Sequence, residues 1–309
     1  MELKQLKSLV TLVESGFNVT ETANRLHLVQ SAVSQHLARL EQELGTQVIV
    51  RKGKRLIGLT AAGQRVLEYS RQALALRENI LAVGRDHVDE ARGVLRIGTT
   101  HTQARYVLPA VIRAFRNNYP AVNLHIHQGT PQQLVAMAAS DQVDFSICTE
   151  ELGEHSSLTA IPCYRWNRSL VAPRRHPILT CKPITLADLC EYPLITYTFG
   201  FTGAAHLQNA FTHSGLHPEV ALTASDTDVI KTYVRERLGI GLIASMAFSP
   251  KQDNDLVLRD LSHLLPWETT WVAYHSNKYL RRYQQCFIEL LTDMTLENGV
   301  IKDNKESMV

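Results

Sequence analysis

The apolar residues of this chain change their spacing once, near residue 90, and that change constrains the fold more than any other feature. Before it, apolar residues recur at helical spacing, interrupted by one short strand pair; after it, short strands alternate with helices. A length of 309 residues suggests about two domains, and the break says where they divide. With 45% hydrophobic residues and a net charge of +2, the chain can bury a sizeable core, which excludes disorder as a description of the whole. No run approaches about 20 uninterrupted apolar residues, so no membrane-spanning helix is expected. Met1-Glu2-Leu3-Lys4 lacks the build of a secretory signal, and a cytoplasmic location is expected. The five cysteines, Cys148, Cys163, Cys181, Cys190 and Cys286, form no CxxC and no zinc-finger spacing with histidine. Free thiols, no metal and no cofactor are expected.

In the first part, Leu3, Leu6, Val10 and Val13 predict a helix to about Ser15, ended by Gly16. Thr20 is the expected N-cap of a short helix over 21–26, with Ala23 and Leu26 facing inward. A third helix is predicted from Gln30 or Ser31 to Leu44, with Val33, Leu37, Leu40 and Leu44 inward and Gln30, Ser31, Ser34, Gln35 and Arg39 outward. Two short helices joined by a tight turn make a helix-turn-helix, whose second helix enters the DNA major groove. Glutamine, serine and arginine suit base edges and phosphates there, although a plain solvated hairpin carries the same residue types. Strand Gln47–Val50, the basic tip Arg51-Lys52-Gly53-Lys54-Arg55 and strand Leu56–Leu59 follow at once. From Thr46 to Arg65 there are five basic residues (Arg51, Lys52, Lys54, Arg55, Arg65) and no acid. A basic wing directly after a helix-turn-helix points to double-stranded DNA far more specifically than either element alone. A long helix over 61–85 then carries Val66, Tyr69, Ala73, Leu76, Ile80 and Val83 in a heptad seam, which pairs with another helix or packs on the chain's own body. The polar stretch Asp86–Arg92 reads as a linker.

The second part reads as strands over 95–99, 122–127, 143–148, 194–197, 220–223, 240–244 and 270–274. The helices read over 103–117, 131–140, 204–214, from the Asp226 cap to Leu238, and 279–294. This order predicts parallel sheets with crossover helices, which take small ligands at the carboxyl ends of their strands. Thr99-Thr100-His101-Thr102-Gln103 falls where a strand ends and a helix begins, so unpaired backbone N–H groups and hydroxyl and amide donors converge. Thr202 and Gly203 repeat that arrangement before Ala204, and Thr149 adds a donor past Cys148. Threonines in such places also serve as simple caps.

Several blocks resemble LysR-type transcriptional regulators. Residues 1–65 are similar to their winged helix-turn-helix through Thr22-Ala23, Ser31-Ala32-Val33-Ser34, Leu40-Glu41-Gln42-Glu43-Leu44-Gly45 and Leu59-Thr60-Ala61-Ala62-Gly63. Thr99–Tyr106, Pro162–Arg168, Thr196–Gly203 and Asp228–Tyr233 are similar to the CysB/Cbl branch. The resemblance implies an α/β fold with an N-terminal winged helix-turn-helix (1–60), a long linker (dimerisation) helix and hinge (61–91), and a two-subdomain, periplasmic-binding-protein-like effector domain (92–309). Subdomain I would span about 92–162 and 268–295, and subdomain II about 163–267. It implies a mainly activating, tetrameric regulator of sulfur-assimilation and cysteine-biosynthesis genes, with RNA polymerase as a partner. Acetylserine, sulfate or thiosulfate would bind between the subdomains at Thr100, Thr102, Gln103, Thr149 and Thr202, with Trp166 beside them. Cys163-Tyr164 and Phe199-Gly200-Phe201 lean toward CysB. Arg165 leans toward the Cbl-like alternative, a regulator of sulfonate-sulfur genes answering to adenosine phosphosulfate.

An enzyme or a transport-type binding protein would leave the N-terminal 65 residues without a purpose. No G-x-S-x-G, HExxH or paired-carboxylate motif argues for catalysis, so the chain is read as a non-enzyme. Gly239-Ile240-Gly241 with Ala244 lies between helix and strand, the wrong order for a dinucleotide fingerprint. His125 and His127 share a strand face and read as a solvated pair. Asp226 and Asp228 read as first-turn acids, and Lys231 as structural or a surface contact.

Overall fold

The computed structural model describes residues 1–53, 55–88, 90–149, 157–198 and 204–294. They form two compact units, residues 1–88 with 277–279, and the described residues of 90–276 with 280–294.

The first unit begins with α1 (Leu3–Glu14), α2 (Val19–Leu26) and α3 (Gln30–Leu44), followed by an antiparallel hairpin of β1 (Ile49–Lys52) and β2 (Arg55–Leu59) and by α4 (Ala61–Val88). The predicted apolar stripes meet in one core containing Leu6, Leu9, Ala23, Val33, Leu37, Leu40, Val48 and Leu67. Asn18, not Thr20, caps α2, its side chain accepting from the Glu21 N–H; the helix starts two residues earlier than expected, where the Asx side chain reaches. Leu44 is 38% exposed rather than inward, because α3 runs past the core before Gly45 turns the chain at φ +65°. The Leu59–Gly63 block has a local cause. Thr60 Oγ1 accepts from Gly63 N–H and donates to the Gln47 carbonyl. A Cβ at Gly63 would sit 1.9 Å from the Val48 carbonyl oxygen, so only glycine lets α4 approach the wing so closely. Along α4, Val66 and Ala73 pack on the core, whereas Tyr69, Leu76 and Ile80 are 63%, 55% and 73% exposed.

The second unit holds two five-stranded sheets. In lobe I the order is β4-β3-β5-β12-β6, built from β3 (Gly93–Thr99), β4 (Val122–Gln128), β5 (Phe145–Cys148), β6 (Leu158–Trp166) and β12 (Glu268–His275). In lobe II the order is β11-β7-β10-β8-β9, from β7 (Arg168–Pro173), β8 (Leu194–Tyr197), β9 (Val220–Ala224), β10 (Ile240–Ala244) and β11 (Leu256–Asp260). β3, β4 and β5 are parallel, as are β8, β9 and β10, while β7, β11 and β12 run antiparallel to their neighbours. The helices are α5 (Leu108–Asn118), α6 (Pro131–Ala139), α7 (Leu186–Cys190), α8 (Ala204–His213), α9 (Thr227–Arg235) and α10 (Arg282–Met294). The chain passes between lobes at Asn167 and again between β11 and β12.

β6, β7, β11 and α7 fill the stretches the sequence reading left unassigned. Pro162 interrupts the strand pattern of β6, yet it is tolerated because β6 is a sheet edge and the register shifts beside it at Thr270–Trp271. β6 continues in the lobe I sheet to Trp166, four residues beyond the expected subdomain boundary near 162. The helix predicted over 103–117 is split into a π-helical turn, Gln103–Val107, and α5. Single π turns of this kind often mark functional positions.

Candidate functional site

On the DNA-reading unit, Gln30, Ser31, Ser34, Gln35 and Arg39 are all exposed along one face of α3, and Lys52 and Arg55 are exposed at the wing. Lys54 lies outside the described residues. The wing carries no acid of its own, but α3 supplies one. Glu41 pairs with Arg51 at 2.7 Å and accepts from the Val48 and Ile49 N–H groups. Arg51 therefore fastens the wing to α3, and among the described residues Lys52 and Arg55 add exposed positive charge to the wing. Gln30 is held as well, donating to Thr20 Oγ1 at 3.0 Å.

The lobe I residues expected to hold an effector lie where β3 and β5 end. Thr100, Thr102 and Gln103 are buried. Gln103 Nε2 donates to Thr270 Oγ1 at 3.3 Å, Thr270 and Thr149 hydroxyls lie 3.4 Å apart, and Trp166 Nε1 donates to Thr149 Oγ1 at 3.2 Å. The Tyr164 hydroxyl donates to Gln103 Oε1, and burial pushes its pKa well up, so it stays a neutral donor. From lobe II, Thr227 places its hydroxyl 3.4 Å from that of Thr102 and 2.7 Å from that of Tyr197. Thr100, buried directly after β3, takes no part in these bonds among the described residues, and Thr202 lies outside them. The cluster is built of hydroxyls, one amide and one indole. These can turn donors toward an anion without a fixed charge.

The sequence reading did not find Thr270, Tyr164, Thr227 and Tyr197 as parts of this network. β12 was expected at Thr270, but its pairing beside β5 and β6 is set by strand register across more than a hundred residues. Two further side chains lie beside Trp166. Arg168 and Glu268, 0% and 3% exposed, form an ion pair at 2.7 Å, and His206 on α8 also binds Glu268, at 2.9 Å. The Arg168 guanidinium is 5.3 Å from the Trp166 ring centre.

A charged cluster joins the lobes beside the neutral one. Asp228 on α9 accepts from the Tyr106 hydroxyl at 2.7 Å and pairs with Arg105 at 2.6 Å, while His101 meets Asp226 at 3.0 Å. Asp226 does cap α9, as read, accepting from Asp228 N–H. Lys231 is not a surface contact. It is 2% exposed, and its Nζ binds Asp253, the Ala247 carbonyl and the Tyr106 hydroxyl. Burial opposes its charge, yet the bonds to Tyr106 and Asp253 hold its pKa above the usual lysine value. Burial likewise opposes the charge of Asp253, but the Ser249 N–H, Lys231 and Arg235 hold it below the carboxylate range. His101, Asp226 and Asp228 could offer ligand atoms within 4.8 Å of one another. Arg105 and Lys231, however, already answer the charge of Asp228. His125 and His127 are exposed. All five cysteines are free, and burial pushes the Cys163 thiol up to about 12, which keeps it protonated. No described helix is long and apolar enough to cross a membrane.

A DNA-reading winged helix-turn-helix on the same chain as a two-lobed α/β unit with a polar interlobe cluster defines a ligand-responsive transcriptional regulator. The family model "Bacterial regulatory helix-turn-helix protein, lysR family" matches residues 3–64, and "LysR substrate binding domain" matches residues 89–295. The chain is 44% identical to the HTH-type transcriptional regulator CysB of Haemophilus influenzae, over 94% of this chain and 89% of that one. It is 42% identical to the regulator SsuR of Burkholderia cenocepacia, over 94% of each. Among solved structures, the cofactor-binding domain of the Cbl transcriptional regulator superposes with a TM-score of 0.63 at 40% identity, covering 67% of this chain and 93% of that one. The chain belongs to the LysR family of transcriptional regulators, and it is not an enzyme.

Proposed function

We propose that this regulator controls sulfur-assimilation and cysteine-biosynthesis genes, mainly as an activator in the cytoplasm, and that a small sulfur-related effector bound between the lobes gates it. The observation that carries this reading is the uncharged polar cluster of Gln103, Thr270, Trp166 and the half-buried Thr149, with the buried Thr100 and Thr102 just before Gln103 in the chain. A fully ionised sulfate or thiosulfate presents acceptors alone, and acetylserine presents a carboxylate and a carbonyl; such a cluster meets these groups with donors. Thr202 is proposed as a further contact, and DNA is read by Ser34, Gln35, Gln30, Ser31 and Arg39, with Lys52, Lys54 and Arg55 on phosphates and Arg51 supporting the wing.

The effector acts only by binding one arrangement of the lobes better than another. The exposed seam of α4 supports self-association to a dimer, and a tetramer together with RNA polymerase completes the proposal. A second reading, a Cbl-like regulator of sulfonate-sulfur genes answering to adenosine phosphosulfate, is favoured by Arg165 and by the match to the Cbl domain. Titrating operators from cysteine-synthesis and sulfonate genes side by side at fixed salt separates the two. Tighter binding to the cysteine operators, altered by acetylserine, supports the first. Preference for sulfonate operators, altered by adenosine phosphosulfate, supports the second, and no preference for either contradicts both.

A further inference from the structure

Lobe II has a second concavity, at the opposite end of its sheet from the interlobe cluster. Pro173 ends β7, while Pro193 and Gly239 immediately precede β8 and β10; the cleft residues Tyr197 and Ala244 close the other ends of those same strands. A cavity of about 500 Å³ opens there. Three arginines line it, Arg174, Arg175 and Arg237, together with His176 and Tyr192 and a wall of prolines. Among the described residues no carboxylate lines it. Glu191 and Glu236, the sequence neighbours of Tyr192 and Arg237, are exposed outside the lining, and the carboxylate of nearby Asp255 is taken by Arg235 at 2.7 Å.

The three arginines are exposed to solvent, and one of them is anchored. Arg174 Nε donates to the Asn254 carbonyl at 2.6 Å. Arg175 and Arg237 both adopt left-handed backbone conformations, with φ of 71° and 61°. Glycine would take those conformations freely, and an arginine pays for them in strain, so two such positions converging on one cavity call for a reason in the side chain. His176 accepts from the Ile178 N–H through Nδ1, which leaves its Nε2 to carry the proton as a donor. Its ring meets Tyr192 edge-on, with centres 4.7 Å apart, forming an aromatic corner beside the arginines. Ligands of open α/β sheets usually sit at the carboxyl ends of strands; this cavity is at the amino ends, so its case rests on charge and shape.

We propose that this basic pocket binds a small ligand through a phosphoryl or sulfuryl oxyanion, at a site separate from the interlobe cleft. Planar guanidinium forks pair with such oxyanions in a bidentate manner, and three of them without an acid select for dense negative charge. A concave wall with an aromatic corner fits a small molecule better than a DNA backbone. The inference stands whichever effector the cleft takes.

The test is calorimetric titration of the full chain, at low salt, with inorganic phosphate, inorganic sulfate and adenosine monophosphate. Glycine is the natural replacement, because Arg175→Gly and Arg237→Gly remove charge while relieving the backbone. Saturable binding weakened about tenfold by either variant, with the melting temperature held or raised, supports the site. Tighter binding of adenosine monophosphate than of phosphate identifies a nucleotide-like ligand resting on Tyr192 and His176; equal or weaker binding identifies a free oxyanion. Absence of saturable binding by all three overturns the proposal. So does binding that survives both variants but is lost in Thr102→Val, which would place the anion in the cleft. A fall in operator affinity in the arginine variants without any loss of small-anion binding would assign the patch to DNA instead.

Discussion

The two polar clusters that meet between the lobes solve opposite problems. One, centred on Gln103 and Thr270, is assembled from neutral hydroxyl, amide and indole groups. The other, centred on Asp228 and Lys231, is assembled from full charges that pair with one another across the lobes and within lobe II. Neutral donors can be redirected toward a ligand at little cost, because a hydroxyl rotates and water or a neighbour takes its place. A buried charge deprived of its partner is expensive. On the proposed function, the arrangement keeps recognition adjustable and lets fixed charges hold the frame.

The sharpest way to break this contrast is to orphan a charge in the frame. Lys231→Met leaves Asp253 buried with Arg235 as its remaining cationic partner, and should cost about 3 kcal/mol of stability in urea unfolding. A loss under 1 kcal/mol would show the charges to be incidental. On the neutral side, Thr102→Val should leave stability within about 1 kcal/mol but weaken effector binding by about 2 kcal/mol, roughly thirtyfold by calorimetry. The reverse pattern would exchange the roles of the clusters.

The same division between neutral reading and charged holding extends to the DNA unit. Replacing Ser34 and Gln35 with alanine should lower operator affinity by about 1–3 kcal/mol and relax sequence preference. Lys52→Ala should weaken binding to every sequence and reduce the slope of log affinity against log salt by about 1. Equal effects on specific and random DNA from the Ser34 and Gln35 changes would remove them from base reading.

The smallest effect is in pH. Asp253 has its pKa held below that of the unfolded chain, so its contribution to stability is complete above the ordinary carboxylate range, near about 4, and is lost as pH falls through the lower folded value. Lys231, with its pKa raised, contributes fully below the ordinary lysine value of about 10.5 and loses that contribution only as pH climbs past it. Denaturant midpoints should therefore be flat from pH 6 to 8 as far as this pair is concerned and fall in acid, with a shallower acid slope in Asp253→Asn. An unchanged slope would separate the pair from the frame.

How much of this was legible beforehand depended on sequence distance. The helix-turn-helix and wing are local: period, turn and basic tip lie within 65 residues, so their elements and outward faces were readable. The finer errors there were also local, since Asn18, two residues before Thr20, is the cap. In the lobes, Thr100, Thr102, Gln103 and Thr149 were readable because each follows a recognisable strand end. Their partners were not. Thr270 reaches Gln103 and Thr149 through the insertion of β12 between β5 and β6, and nothing near residue 270 announces that order. Asp226 and Asp228 carry ordinary cap chemistry in the sequence, and it takes the fold to bring His101 and Arg105 to them. β6 escaped notice because Pro162 breaks its pattern where an edge strand permits it.

The measurement closest to the central claim is the melting temperature of the native chain and of Thr102→Val against sulfate, thiosulfate, O-acetylserine, N-acetylserine and adenosine phosphosulfate. A ligand at a hundred times its Kd adds about 2.7 kcal/mol, a rise of roughly 5–10 °C for a unit of this size. Acetylserine or a simple sulfur anion should give such a rise, largely lost in Thr102→Val. No rise with any of the five, or a rise that Thr102→Val leaves intact, would contradict that claim.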